Sequence, residues 1–469
     1  MNNKVEYSSY HYYEILYING EKMIKYFKWE MKLKLKSTFT AVVILIICII
    51  SLINMQIIES KRHERSFTTN YATDSFIYLD QMKWIDQLTE ENKKEYPKSE
   101  YTYQLYDEIR SSIWRLSYSD YYNEMNRLQA FLSLLTLRNE FDENGKEVVS
   151  KEKIFNIWNS VSNGVPYESI DFYVREKGTS DFPINLYFSQ AMYFSVLYSK
   201  NLDMAFNDEL SNVSFLYDLY DKVIPFLVIL LSFLSSYSSI NRAINNGQIK
   251  FLLTSGQKRT KIYLAKCFSN VVYIWLLIIP LSLFFAWIAG VKGQMINIGY
   301  PMFALKNPLS NITSIPNYYD VAINNGRYAN LYPNAIGRTA PLGEYFMYGG
   351  DISDALQLIT FLQFMLLVIV LIIFYLFFIV ALVQFFSTLF RHEFIGLITS
   401  IIIFSVGYGG MVKFMEGKHF NISPFNAIRF VRIVEGVNNT TYLLTIITLF
   451  ICSVVLLFGG CLIFSRKEI

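Results

Sequence analysis

The chain has 469 residues, 52% of them hydrophobic and 17% aromatic, with a formal net charge of +3. Soluble domains are themselves about 45 to 50% apolar, so the bulk figure excludes little, but apolar runs of about 20 residues, enough to cross about 30 Å of hydrocarbon, recur six times. Cys48, Cys267, Cys452 and Cys461 fall in or beside those runs, which leaves no support for a disulfide framework or a cysteine-rich metal site.

Residues 1–38 carry Lys22, Lys25, Lys28, Lys32, Lys34 and Lys36, with Ile24, Phe27, Met31 and Leu35 at helical spacing. This pattern predicts an amphipathic helix in the membrane interface, its lysines reaching lipid phosphates. Span one is predicted at 39–58. It starts from a lysine-rich flank and so runs outward, and its length and late start argue against a cleaved signal peptide.

Residues 59–218 are long enough for an extracytoplasmic domain, and residues 59–221 hold 27 acidic against 17 basic side chains. The stretch Tyr101 to Phe141 mixes aromatic and aliphatic residues at helical spacing, which predicts a mainly helical domain. Span two is predicted at 219–240, with Pro225 near its outer end and Ser232, Ser235, Ser236, Ser238 and Ser239 towards its inner half, where small hydroxyls favour close helix packing.

The loop 241–266 carries Arg242, Lys250, Lys258, Arg259, Lys261 and Lys266 and no Asp or Glu. A short, purely basic loop faces the cytoplasm, which fixes the orientation of the remaining spans. Span three follows at 267–289, and an outer segment rich in Asn, Pro and Gly at 290–356 shows turn signals and no long periodic run. Spans four and five are predicted at 357–389 and 394–411, the latter with Gly407, Gly409 and Gly410 for close packing or a broken helix. An outer turn, 412–440, places Lys413, Lys418, Arg429 and Arg432 outside, where basic side chains commonly snorkel. Span six is predicted at 442–464. The fold class is therefore an all-α polytopic membrane protein with six transmembrane helices and both termini cytoplasmic.

The loop between spans two and three resembles that of type-2 ATP-binding-cassette (ABC) transporter permeases. Gly247-Gln248, Ile249, Phe251, Leu252, Leu253, the turn Ser255-Gly256-Gln257, Arg259 and Lys266 fill the family's places, and Ser423-Pro424-Phe425 is similar to the element before its last span. Three positions depart: Asn241 or Asn245 stands where Glu is usual, Gln248 for Thr, and Gly256 where Pro is common. The resemblance implies a coupling helix, Gln248, Ile249, Phe251, Leu252, Leu253 and Arg259 included, that docks on a separate ABC ATPase subunit. It further implies a second permease copy or a homologue. The plainer reading of the same loop is that it only orients two spans.

No Gly-x-x-x-x-Gly-Lys-Ser/Thr loop occurs, so ATP and Mg would be bound by the partner ATPase and no cofactor by this chain. His11, His63, His392 and His419 are scattered, with no His-Glu-x-x-His motif. The central part of every span lacks Asp, Glu, Lys and Arg, which argues against ion-coupled transport. Asn270, Gln363 and Gln384 either line a path or bond between helices. Nothing suggests a nucleic-acid partner. The expected function is a non-catalytic permease subunit of an exporter for a peptide or other amphiphile, in export or antimicrobial-peptide immunity. Its expected place is a bacterial cytoplasmic membrane, bacterial because the Lys, Asn, Ile, Tyr and Phe bias suggests an AT-rich genome. A membrane sensor with an outer receptor domain is the alternative.

Overall fold

The computed structural model describes residues 22–63, 151–162, 184–203, 209–254, 256–309, 356–415, 423–436 and 440–467, with isolated positions between them. Most of the stretch Tyr101 to Phe141, the turns Asn325-Gly326 and Gly349-Gly350, Lys418 and residues 1–21 lie outside the described residues.

Helix α1 (Lys22–Leu35) leads into α2 (Thr38–His63), and α3 (Lys151–Val161) and α4 (Ile184–Ser199) belong to the segment after it. The next membrane-length unit is composite: α5 (Asn212–Asp218), a π-helical turn (Leu219–Val223), α6 (Ile224–Ser236) and α7 (Ser239–Asn245). The short α8 (Gln248–Thr254) and the long α9 (Arg259–Lys292) follow. Beyond them come β1 (Pro301–Leu305), β2 (Leu356–Thr360), α10 (Phe361–Leu389), α11 (Glu393–Met415), α12 (Phe430–Val434) and α13 (Tyr442–Arg466). Five of these units are long and apolar enough to cross a membrane: Thr38–Ser60, Asn212–Asn245, Arg259–Lys292, Phe361–Leu389 and Tyr442–Arg466. The sixth expected span corresponds to α11, whose apolar stretch Glu393–Gly409 is shorter. The chain is an all-α polytopic membrane protein, with Leu45, Phe226, Val406 and Phe458 among the apolar side chains left exposed on its flanks.

Helix α10 lies at the centre of the bundle, packed against α6, α9, α11 and α13. It is the most apolar of the spans, and a helix apolar all round has no face suited to water. Its start corrects the expected boundary at 357. Leu356–Thr360 pairs antiparallel with Pro301–Leu305, in the register Pro301↔Thr360 to Leu305↔Leu356, so the outer segment 290–356 contributes a strand where only turns were expected. The helix starts at Phe361, four residues after the expected 357, because Thr360 and Gln363 form a capping box. The Thr360 hydroxyl accepts from the Gln363 amide at 3.2 Å, and the Gln363 side chain accepts from the Thr360 amide at 3.0 Å.

The segment between the first two spans and the segment 290–356 meet through tyrosines. The hydroxyls of Tyr193, on α4, and Tyr300 lie within hydrogen-bond reach of one another and of the Ile336 carbonyl, at 2.8 and 3.0 Å from it, so that one donates to the other and the second to the carbonyl.

The π-turn in the second span has a local cause. Pro225 has no N–H to return to the Asp221 carbonyl, and the preceding Ile224 amide reaches back five residues to Leu219.

Candidate ATPase-coupling face

Helix α8 is bracketed by Gly247 and Gly256, at φ 71° and 81°, a left-handed conformation that side-chain-bearing residues resist. Its end is a Schellman turn: the Gly256 amide donates to the Leu253 carbonyl at 3.0 Å and that of Gln257 to Leu252 at 3.2 Å. That geometry is why Gly serves at 256, and it makes α8 a separate short rod between two spans.

The six sequence-predicted residues do not share one face. Ile249 is fully buried and Leu252 is 5% exposed, packed with Ile240, Ile262, Tyr263 and Phe464 of the same chain. Gln248, Phe251 and Leu253 are half-buried, whereas Lys250 and Thr254 are exposed. Ile249 and Leu252 therefore anchor the rod and Lys250 and Thr254 mark its outward side, a division that i, i+3 spacing creates on any short helix. Arg259 points elsewhere. Its Nη1 donates to the carbonyl of Ser465 at 3.1 Å and to that of Lys467, at the end of α13.

Sequence reasoning assigned no contact to two residues beside it. Asn241 donates from Nδ2 to the carbonyls of Ser387 at 2.8 Å and Phe390 at 3.2 Å, at the end of α10. Lys467 donates from Nζ to the Thr388 carbonyl at 2.9 Å, the Phe390 carbonyl at 3.4 Å and Asn241 Oδ1 at 3.4 Å. The last carbonyls of a helix lack intrahelical donors and carry partial negative charge, so an amide and two cations suit them.

Next to this face, α1 lies on the first part of α9. Lys266, 3% exposed, pairs with Glu30 at 3.0 Å, and Lys34 donates to Ser269 at 2.7 Å and to Asn270. Burial works to raise the Glu30 carboxyl, but Lys266 and Lys34 outweigh it and hold the group below its ordinary range. Burial pulls the Lys34 ammonium down to about 8. Asn270 thus bonds between helices, as does Gln384, whose Nε2 donates to the Tyr263 carbonyl at 2.9 Å, while Gln363 belongs to the α10 cap.

The family described as ABC-2 family transporter protein matches this chain over residues 24–469. The chain belongs to that family. It is a membrane permease subunit of an ABC transporter, in a family whose permeases are generally non-catalytic and associate with an ABC ATPase. No match was found among curated proteins or among solved structures.

The opposite end of the permease holds the Ser423-Pro424-Phe425 element as a short 3-10 turn, Pro424–Ile428. The Phe425 ring lies against Gly407 of α11 so closely that a Cβ there would sit 2.5 Å from it, which explains this glycine; Gly409 meets nothing within 4 Å. Beyond it, Glu435 is 1% exposed and accepts a hydrogen bond from the Tyr217 hydroxyl at 2.7 Å. Burial pushes the Glu435 carboxyl up to about 8, against the Tyr217 bond and the Arg432 charge, and Asp221 of the π-turn adds to the rise.

Proposed function

We propose that a separate ABC ATPase drives this permease through the outward side of α8, and that the transporter exports a peptide or another amphiphile, in peptide export or antimicrobial-peptide immunity. One observation carries the coupling reading. A short rod at the basic end of the bundle is anchored by Ile249 and Leu252 while Lys250 and Thr254 stay exposed. The excess of Lys and Arg in this loop supports a cytoplasmic position for it and for both termini, within reach of a soluble subunit. ATP and Mg belong to that subunit, since this chain has no phosphate-binding loop. A second permease copy or a homologue completes the membrane unit, and lipid covers its remaining apolar flanks in a bacterial cytoplasmic membrane. The aromatic, acidic segment between the first two spans suits an amphiphilic cargo.

The test is retention of the ATPase by full-length tagged chain, gently solubilised from its host. Lys250→Glu combined with Thr254→Glu should lower stoichiometric ATPase recovery by about tenfold, equivalent to about 1.4 kcal/mol, at unchanged chain yield. Undiminished recovery in that double variant would place the docking surface elsewhere. Leu252→Glu is unsuitable, because it buries a charge in the chain's own core. ATP-dependent uptake of a labelled amphiphilic peptide by inverted vesicles tests the cargo, and its absence in vesicles that retain the ATPase would reject it.

A further inference from the structure

Residues flanking the coupling rod on both sides bond to Lys467. On its N-terminal side Asn241, in α7, receives a bond from Lys467 Nζ at 3.4 Å; on its C-terminal side Arg259 donates to the carbonyls of Ser465 and Lys467. Lys467 also reaches the end of α10 through Thr388 and Phe390, where Asn241 bonds independently. The contacts close a ring: α7, α8, the first turn of α9, residues 465–467 and the end of α10. Burial, with the Arg391 charge nearby, lowers the Lys467 ammonium from its usual range.

The ring differs in kind from the apolar anchorage of α8. Packing of Ile249 and Leu252 is non-directional and allows sliding, whereas charge-assisted bonds to specific carbonyls fix relative position. A displacement of α8 that takes α7 and the first turn of α9 with it must therefore carry the ends of α10 and α13 too or break several such bonds.

We infer that Lys467 is a positioning residue that makes the coupling rod and the ends of the fourth and sixth spans move as one body, so that motion imposed on α8 reaches the centre of the bundle. This inference rests on the coupling reading above for its use, but its geometry stands apart and can be tested apart.

Spin labels attached to ketone-bearing amino acids at positions 258 and 389, both exposed, would report the distance from the rod to the end of α10. In the nucleotide-free full-length chain, a narrow distance distribution is expected for the natural sequence and for Lys467→Arg, and one at least about twofold broader for Lys467→Met. Arg259→Gln, which opens the ring at its other side, should broaden it as well and covers the case in which Lys467→Met does not fold. In the complex with its ATPase, trapping with ATP and vanadate should leave the 258–389 distance unchanged in the natural sequence and shift it in Lys467→Met. Equal widths in all four chains, or a nucleotide-induced shift already present in the natural sequence, would overturn the clamp. Failure to retain any ATPase would instead reject the coupling reading, while the nucleotide-free widths would still decide the clamp.

Discussion

The two ends of the bundle bury polar groups in opposite ways. At the basic end, Asn241, Arg259 and Lys467 meet the carbonyls that close α10 and α13, each side chain serving two or more acceptors. At the other end, the carboxyl of Glu435 is held by the Tyr217 hydroxyl beside the π-turn. Backbone carbonyls do not titrate, so the first arrangement keeps its bonds across the physiological range. The carboxyl of Glu435 gains a buried negative charge as pH rises through about 8, with the Tyr217 hydroxyl able to donate to either form. One end is thereby built for fixed geometry and the other for response to its surroundings.

Three changes break or sharpen this contrast. The largest effect is expected from Lys266→Met, which leaves Glu30 buried with only Lys34 near it and should cost about 3 to 5 kcal/mol, read as a lowered thermal midpoint in lipid nanodiscs. Glu30→Leu added to it should restore most of the loss, and a double variant no better than the single would refute the ion-pair account. Next is Gly407→Leu, which forces its side chain against Phe425 and should cost about 1 to 3 kcal/mol, whereas Gly409→Leu should be near neutral. Equal losses would show that the fit at Phe425 is not specific.

The smallest effect concerns pH. The raised Glu435 pKa means that the folded chain binds this proton more tightly than the unfolded one, for which 4.5 is the ordinary value. Its contribution is complete below that value and is lost as pH rises through about 8. The thermal midpoint should fall by about 2 °C between pH 6 and 8 in the natural chain, and Glu435→Gln should flatten that slope. An unchanged slope in the variant would assign the pH response to another group.

The apolar runs made the helical architecture and most of its spans legible in the sequence, because hydrocarbon thickness dictates their length. Gly407 and the Ser-Pro-Phe element were each singled out, yet that they answer one another required the packing of α11 against the 3-10 turn. The strand pairing of 301–305 with 356–360 was hidden, since its partners are far apart in sequence and each is too short to show a clear period. Thr360 and Gln363 did carry a readable signal, the Thr-x-x-Gln capping spacing. The basic loop 241–266 stood out by charge and punctuation, but the faces of its short helix did not. Ile249 and Leu252 look equally suited to a partner or to the chain's own core until Ile262 and Phe464 are placed beside them. Asn241, Arg259 and Lys467 could not be joined by inspection, because only the folded bundle brings residues 241 and 467 together.

The π-turn at Leu219–Val223 also divides the second span into two angular frames. An α-helix advances about 100° per residue, so one extra residue in a turn rotates everything on one side of it by about that angle relative to the other. The stripe formed by Leu227 and Leu231 below the turn and the side that Tyr217 presents to Glu435 above it are thus set independently. The upper part of this span is free to answer to the outer segments while the lower part keeps phase with the bundle.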